Sequence, residues 1–226
     1  FIDGKNKLIN IKDCLIREVG GNGVAFVGEP KAVRNPLFEY GQRQSFAAID
    51  KTPGPKSDDY PMSCSVEDCL ITRTGRVELQ SAPVQIAMSR RINVKNCSIY
   101  DVPRAGINIG DGCWGGHVIE GCDVFNTVKE TGDHGSFNSW GRDRYWELTD
   151  IDPNMMPEGL PFLDAIEPTI IRNNRWRCDH GWDIDLDDGS SNYIIENNLC
   201  LNGGIKNREG FGRRVLNNIM VSNSFH

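Results

Sequence analysis

The chain has 226 residues, of which 25% are charged and 38% hydrophobic, and its formal net charge is −6. Because the chain is acidic and has no run of lysine and arginine, a nucleic-acid partner is not expected. No apolar stretch reaches the length of a membrane-spanning helix, and no signal peptide is recognisable. This length accommodates one sizeable hydrophobic core, so we predict a single domain over residues 1–226.

A hexapeptide pattern recurs seven times and organises most of the chain. Its members read apolar residue, any residue, Asp/Asn/Gly, Cys/Asn, any residue, apolar residue. The copies are Ile11–Ile16, Val66–Ile71, Val94–Ile99, Ile119–Val124, Ile171–Trp176, Ile195–Cys200 and Val215–Met220. Copies without an insertion between them are 20 to 28 residues apart. A repeat of this period indicates a solenoid.

Each repeat is predicted to contain two or three short strands. Apolar and polar residues alternate before the turn, as around Ile92 and Val94, which is typical of a strand with one face inward. The Asp, Asn or Gly that follows favours a left-handed turn. A second strand begins at a glycine in five repeats, namely at Gly23, Gly106, Gly135, Gly181 and Gly204. The pattern predicts an all-β, right-handed parallel β-helix, and since the chain starts and stops at repeats we expect a fragment of a longer one.

Four of the eight cysteines occupy the same turn of their repeats, and asparagines continue that column. The column comprises Cys14, Cys69, Cys97, Cys122, Asn174, Asn198 and Asn218. Buried free cysteine behaves as a small hydrophobic residue, and stacked asparagines can form an amide ladder. We therefore expect a structural column rather than a metal site, since paired Cys-x-x-Cys motifs are absent. The redox state of the other four, Cys64, Cys113, Cys178 and Cys200, is left open.

Two long insertions interrupt the repeat, at about residues 29–61 and 142–168. Loops of this length in a compact domain are usually functional or disordered. Surface decoration is the alternative interpretation for both.

An acidic strand, Asp183-Ile184-Asp185-Leu186-Asp187, provides the main candidate for chemistry. If the residue after each glycine points inward, Trp182, Ile184 and Leu186 fill the core and the aspartates face solvent. Stacking then predicts one outward column of Gln85, Asn108, Phe137, Asp183 and Lys206. The next column is Ala87, Gly110, Ser139, Asp185 and Arg208, and the third is Gly112, Gly141 and Asp187.

A repeated tripeptide lies beside this strand. Asp133-His134-Gly135 and Asp179-His180-Gly181 precede equivalent strands, so we expect Asp133 over Asp179 and His134 over His180. Trp140, Arg142 and Asp143 follow soon after the first copy. Carboxylates, histidines and aromatic rings on one face are the groups that carbohydrate sites use.

Each group also has a structural interpretation. The aspartates could simply pair with Lys206 and Arg208, or three of them could bind Ca²⁺. The two histidines could form a stacked pair, and Trp140 and Trp146 could cover the core of the insertion. The functional hypothesis depends on the convergence of these groups on one face of consecutive repeats.

Three segments carry a family resemblance, and they are VPRAGINIGDGCWGGH (Val102–His117), ETGDHGSFNSWGRDRYW (Glu130–Trp146) and CDHGWDIDLDDGSSNY (Cys178–Tyr193). They resemble right-handed β-helix carbohydrate-active proteins of the pectate-lyase-like superfamily. Within it they are most similar to bacterial β-helix glycoside hydrolases of the α-L-fucosidase and xylanase type. The resemblance covers residues 94–226 and implies a secreted or periplasmic glycan-degrading enzyme with two catalytic aspartates. The motif order does not match that of polygalacturonases.

The leading hypothesis is a glycoside hydrolase without a cofactor, acting on a plant or microbial glycan. Its catalytic pair combines Asp183 or Asp185 with Asp133 or Asp143. The predicted substrate-binding residues are His134, His180, Trp140, Arg142, Asp187, Lys206 and Arg208. One alternative is a polysaccharide lyase, with Ca²⁺ held by Asp183, Asp185 and Asp187 and with Lys206 or Arg208 as base. The other is a β-helix that binds glycans without catalysis.

Overall fold

The computed structural model describes residues 1–35, 41–110, 114–141 and 143–222. These residues form three parallel sheets of seven strands each, with almost no helix. The chain visits the three sheets in turn and each strand pairs with its equivalents in the coils before and after it. This architecture is a parallel β-helix, and it agrees with the right-handed form predicted from the repeat.

The strands are numbered β1 to β21 in chain order. Sheet 1 contains β1 (Ile2–Asp3), β4 (Val24–Val27), β7 (Val84–Ala87), β10 (Ile107–Gly110), β13 (Gly135–Ser139), β16 (Trp182–Leu186) and β19 (Ile205–Asn207). Sheet 2 contains β2 (Asn10–Lys12), β5 (Ser65–Glu67), β8 (Asn93–Lys95), β11 (Val118–Glu120), β14 (Thr169–Arg172), β17 (Tyr193–Glu196) and β20 (Arg213–Leu216). Sheet 3 contains β3 (Leu15–Arg17), β6 (Leu70–Thr72), β9 (Ser98–Tyr100), β12 (Asp123–Phe125), β15 (Arg175–Arg177), β18 (Leu199–Cys200) and β21 (Ile219–Met220). Short 3₁₀ helices lie at Pro30–Ala32, Pro153–Met155 and Leu160–Phe162.

The seven hexapeptides stack in register, as the repeat predicts. Their first apolar residues pair directly from coil to coil in sheet 2, and their last apolar residues do so in sheet 3. Both sets point into one continuous hydrophobic core, in which Val66, Val94, Ile119, Ile171 and Ile195 are completely buried. The third position adopts the left-handed backbone in every copy, with φ between 52° and 68°. Asp, Asn and Gly are the residues that tolerate this conformation.

The fourth position forms the predicted structural column. Asn198 Oδ1 accepts hydrogen bonds from the backbone and side-chain nitrogens of Asn174, at 3.1 and 3.0 Å, and Asn218 repeats this arrangement with Asn198. In the earlier coils Cys97 and Cys122 take the same place, and each thiol donates to a backbone carbonyl of the preceding coil. The seven cysteines that the structure describes are all free thiols, and Cys113 lies outside the described residues.

The two insertions leave the β-helix at the same edge, after β4 and β13, and pack against each other. Ile49 of the first lies in one hydrophobic cluster with Tyr145, Leu160 and Leu163 of the second. Arg144 reinforces this contact, because its buried guanidinium pairs with Asp164 at 2.8 Å and donates to the carbonyl oxygens of residues 50 and 52. No helix in the described part of the chain is both long and apolar enough to cross a membrane.

Candidate functional site

The outward column of sheet 1 differs from the predicted one in two strands: Asn138 takes the place of Phe137 in β13, and Asp185 takes the place of Asp183 in β16. Phe137 pairs with Ile107 and Ile184 and is completely buried in the core, so the prediction that it faces outward is wrong. The observed column is Gln85, Asn108, Asn138, Asp185 and Lys206. A shift of one residue exchanges the two faces of a strand, and the glycine used to align β13 does not occupy the position of the other glycines.

A bulge at the start of β16 changes the side-chain directions there. The amides of Asp183 and Ile184 both donate to the carbonyl of Gly204, at 3.0 and 3.1 Å, so two residues oppose one. Trp182 was expected in the core, but its ring lies outside, 4.1 Å from Lys206 Nζ. The prediction that Trp182, Ile184 and Leu186 share the core therefore holds only for the last two.

Asp183 does not face the groove, contrary to the sequence-based expectation. Its carboxylate is completely buried and accepts hydrogen bonds from four backbone amides, those of Cys178 (2.7 Å), Asn202 (3.2 Å), Gly203 (2.9 Å) and Gly204 (3.0 Å). Burial raises its pKa, and these hydrogen bonds oppose that rise. Asp183 thus holds the turn before β19 and is removed from the candidate catalytic pair.

The position of Asp183 also bears on the predicted Ca²⁺ site. Because Asp183 is directed at backbone amides, it does not converge with Asp185 and Asp187, so the predicted Ca²⁺ site of the lyase hypothesis is not formed. Within the described ranges, no group of three His, Cys, Asp or Glu side chains is arranged to hold a metal ion.

Asp143 is also separated from the groove. It is buried and lines a cavity of about 20 Å³ together with Ser139, Trp140, Ser190 and Tyr193. Burial raises its pKa well above the usual range, the Asp164 carboxylate raises it further, and Arg144 opposes both. The expectation that Asp143 faces Asp185 across the groove is therefore wrong. Arg142, another predicted binding residue, lies outside the described residues.

The two histidine tripeptides are offset from the predicted stacking. Gly135 pairs with Trp182, which places His134 beside Gly181 and Asp133 beside His180. His134 is half-buried and lines the groove, with Nδ1 3.1 Å from Thr131 Oγ1. Burial and the nearby Arg104 together lower the pKa of His134 to about 4. His180 is exposed and does not line the groove.

Lys206 brings three carboxylates together at the centre of the groove. Its Nζ lies 3.2 Å from Asp185 Oδ1, 3.4 Å from Asp187 Oδ1 and 3.6 Å from Asp133 Oδ1. Any two of these three oxygens are therefore at most about 7 Å apart. Arg208, directly after the end of β19, supports the cluster with Nη1 3.0 Å from Asp187 Oδ1. The prediction that the three aspartates lie beside Lys206 and Arg208 is confirmed for Asp187 with both cations and for Asp185 with Lys206, whereas Asp183 is directed at backbone amides.

Asp185 is the carboxylate whose chemistry is most altered. Asp185 is completely buried. When the amide group of Asn138 is oriented so that its oxygen and its nitrogen both have partners, the nitrogen donates to Asp185 Oδ2 at 3.0 Å. Burial raises the pKa of Asp185 to about 7; Lys206 lowers it, while the Asp187 carboxylate raises it. Because this pKa is close to neutral, about half of the Asp185 carboxyl groups hold a proton at pH 7.

The groove above this cluster encloses about 230 Å³. Its lining residues are Arg104, Asp133, His134, Asn138, Trp140, Asp187 and Asp188. The Trp140 ring covers Gly110, whose missing side chain leaves the space that the ring fills. The space over Gly110 is therefore filled by the ring and is not open to a ligand.

Sequence reasoning missed three groove residues, Arg104, Asn138 and Asp188. Asn138 was hidden by the register error, and placing the large apolar Phe137 in the core would have revealed it. Asp188 follows the acidic strand directly and carried the same signal as its neighbours. Arg104 precedes β10 in a loop, so no strand periodicity points to it.

Comparisons with known proteins identify the fold and no family. No model of a known protein family matches the chain, and no curated protein matches it. A solved structure of a glycoside hydrolase is similar, with a TM-score of 0.56 and 15% sequence identity over 97% of this chain. The chain spans 33% of the length of that hydrolase. The similarity establishes that the chain has the β-helix architecture found in that protein.

Proposed function

We propose that the groove on sheet 1 hydrolyses a glycosidic bond, with Asp185 as the general acid and Asp187 as the general base. The observation that carries this proposal is the cluster of Asp133, Asp185 and Asp187 around Lys206, at the floor of an open groove with an aromatic wall. The similarity in fold to a glycoside hydrolase supports the same conclusion.

The roles of the two aspartates follow from their surroundings. Asp185, with a pKa of about 7, retains a proton that it can donate to the leaving group. Asp187 is bonded to Arg208 and lines the groove, where it can activate a water molecule. The Oδ1 atoms of Asp185 and Asp187 lie 3.2 and 3.4 Å from Lys206 Nζ, so these two oxygens are at most about 6.6 Å apart, at the lower end of the range of about 6.5–9.5 Å that is typical of inverting glycosidases.

Lys206 controls access to the acid. Asp185 has no exposed surface, and the Lys206 side chain, itself only 12% exposed, reaches over it to the groove carboxylates. We expect the substrate to reach Asp185 when Lys206 moves aside. Asp133 and Asp187 remain as partners for the displaced ammonium group.

Variants of the two aspartates test this assignment. Asp185→Asn and Asp187→Asn should each lower kcat on unactivated oligosaccharides by about 100-fold or more, since each removes an acid–base group. Asp185→Asn should keep activity on glycosyl fluorides, whose leaving group needs no proton, whereas Asp187→Asn should lose it. Proton NMR of the first product should show inverted anomeric configuration.

Asp123→Asn is the matched control, because Asp123 lies outside the groove on sheet 3, paired with Arg175. Full activity of both groove variants would refute the assignment. Glycan binding by the wild type without turnover of any bound glycan would instead identify a β-helix that binds sugars without catalysis.

A further inference from the structure

Arg104 is a buried cation at the wall of the groove, and only neutral groups bond to it. Only 4% of the surface of Arg104 is exposed to solvent. Nε donates to Gln80 Oε1 at 3.1 Å, and Nη1 donates to Asn108 Oδ1 at 3.0 Å. Asn108 is itself fixed, because its Nδ2 donates to Gln85 Oε1 at 3.0 Å. These amide contacts orient the guanidinium without neutralising its charge.

The other groove cations differ from Arg104 in this respect. Lys206 and Arg208 each lie within 3.4 Å of Asp187, whereas Arg104 has no carboxylate within ion-pair distance among the described residues. Burial lowers the pKa of Arg104 to about 10, so it remains charged at neutral pH. Burying a cation without an opposite charge costs free energy, and a bound anion would remove that cost.

The position of Arg104 allows such an anion to be a ligand. Arg104 lines the cavity of about 230 Å³ together with Trp140, and its Cζ lies 5.0 Å from the centre of the Trp140 ring. With Nε and Nη1 bonded to the protein, Nη2 is the nitrogen left for a ligand in the groove. A guanidinium fixed in this way is suited to oxygen atoms of a carboxylate or a sulfate group.

We infer that Arg104 selects glycans that carry an anionic substituent, a carboxylate or a sulfate, on a sugar bound in this groove. This inference rests on the proposed function. Asn108 and Asp185 belong to the same column two coils apart, which corresponds to roughly 10 Å. The anionic group is therefore recognised apart from the reacting bond, and it determines specificity rather than the chemical step.

Binding to neutral, uronic-acid and sulfated oligosaccharides tests the inference. The Asp187→Asn variant serves as the parent, because slow turnover keeps the oligosaccharides intact. The parent should bind at least one anionic class more tightly than the neutral class. Adding Arg104→Gln should weaken that binding roughly 10- to 100-fold, as expected for loss of a charge-assisted hydrogen bond, and leave neutral oligosaccharides unaffected.

Arg172→Gln provides the matched control, since it removes the same charge from sheet 2, where Arg172 pairs with Glu120 outside the groove. It should leave all three affinities unchanged. Arg104→Lys keeps the charge but loses the planar fork, so it should recover only part of the affinity. The class that loses affinity identifies the substituent as carboxylate or sulfate.

The inference is overturned if the parent prefers neutral oligosaccharides, or if Arg104→Gln weakens neutral and anionic ones equally. Failure of the proposed function gives a different result. In that case anionic oligosaccharides bind through Arg104, while the wild-type protein releases no product from them.

Discussion

Asp183 and Asp185 are two residues apart on one strand, yet their carboxylates have different surroundings. Asp183 accepts four backbone hydrogen bonds, whereas Asp185 contacts Asn138 and Lys206 beneath the groove. The bulge in β16, opposite Gly204, explains the difference, because it interrupts the regular alternation of side-chain directions between the two residues. Two aspartates with the same sequence signal therefore have separate roles, one structural and one proposed for chemistry.

Asp183→Asn should therefore destabilise the protein and leave its chemistry intact. The new amide group would direct N–H donors at backbone amides that already donate, which leaves buried groups unpaired. We expect a loss of about 1–3 kcal/mol in the free energy of unfolding, measured by chemical denaturation. Activity per folded molecule should equal that of the wild type, and an inactive but fully stable variant would contradict this role.

Asp185 should make the stability depend on pH. Its pKa is about 7 in the folded protein and about 4 in an unfolded chain, so the folded state binds more protons between these values. The free energy of unfolding should therefore fall as pH rises from about 4 to about 7. Asp185→Asn removes this contribution, and its stability relative to the wild type should be greater at pH 8 than at pH 4 by on the order of 1–3 kcal/mol. Denaturation curves across this range provide the measurement, and parallel curves for the two proteins would contradict it.

At the scale of the element, sheets 2 and 3 could be predicted from the sequence and sheet 1 only in part. The hexapeptides pair in register because every copy has the same spacing between its two apolar residues and its left-handed turn. The strands of sheet 1 have no repeated motif of constant spacing by which they could be aligned. They were aligned on glycines, and these glycines do not occupy equivalent places, so the predicted register was wrong by one residue in β13 and by two residues in β16.

The side-chain contacts of the site depend on geometry that the repeat does not encode. The bulge in β16 arises at one carbonyl of the next coil, that of Gly204, and Asp143 is buried within an insertion. A repeat pattern records the spacing that the coils share, and it carries no signal for either feature. The sequence could therefore indicate the strand that bears Asp185 and Asp187, but not which aspartates face the groove.

The asparagine ladder should contribute strongly to the stability of the last coils. Asn198 is buried, donates to the carbonyl of Ile171 at 2.9 Å, and accepts from Asn174 and from Trp176 Nε1. Asn198→Ala leaves several of these partners unpaired, so we expect a loss of roughly 2–4 kcal/mol in the free energy of unfolding. Arg175→Ala, which removes a surface ion pair with Asp123 and a contact with the Phe125 ring on sheet 3, should cost less than about 1 kcal/mol. Similar losses in the two variants would argue against the ladder.

At the scale of the whole molecule, the two insertions join parts of the chain that are far apart in sequence. They share one hydrophobic cluster, and the second insertion begins soon after Trp140, which forms part of the groove wall. The contact depends on Arg144, whose guanidinium reaches Asp164 and the backbone of the first insertion. The insertions thus form a single unit against the edge of the β-helix.

Arg144→Ala should loosen this unit more than the β-helix. The substitution leaves Asp164 buried without its cation, which typically costs about 3–5 kcal/mol. We expect limited proteolysis to cut the insertions near residues 45–55 or 150–160 while the coils remain protected. Arg43→Ala, which removes an exposed contact with Glu147, is the control and should leave the cleavage pattern unchanged. Faster cleavage throughout the coils would show that the insertions also support the β-helix.

The buried thiols in the column of cysteines and asparagines also allow local opening of individual coils to be measured. Cys69, Cys97 and Cys122 are free, almost completely buried and placed one to a coil. A thiol reagent can reach each of them only when its coil opens, so the labelling rate of each cysteine measures the opening free energy of that coil. Mass spectrometry of the labelled peptides would show whether these coils open one after another or together, with no substitution in the protein.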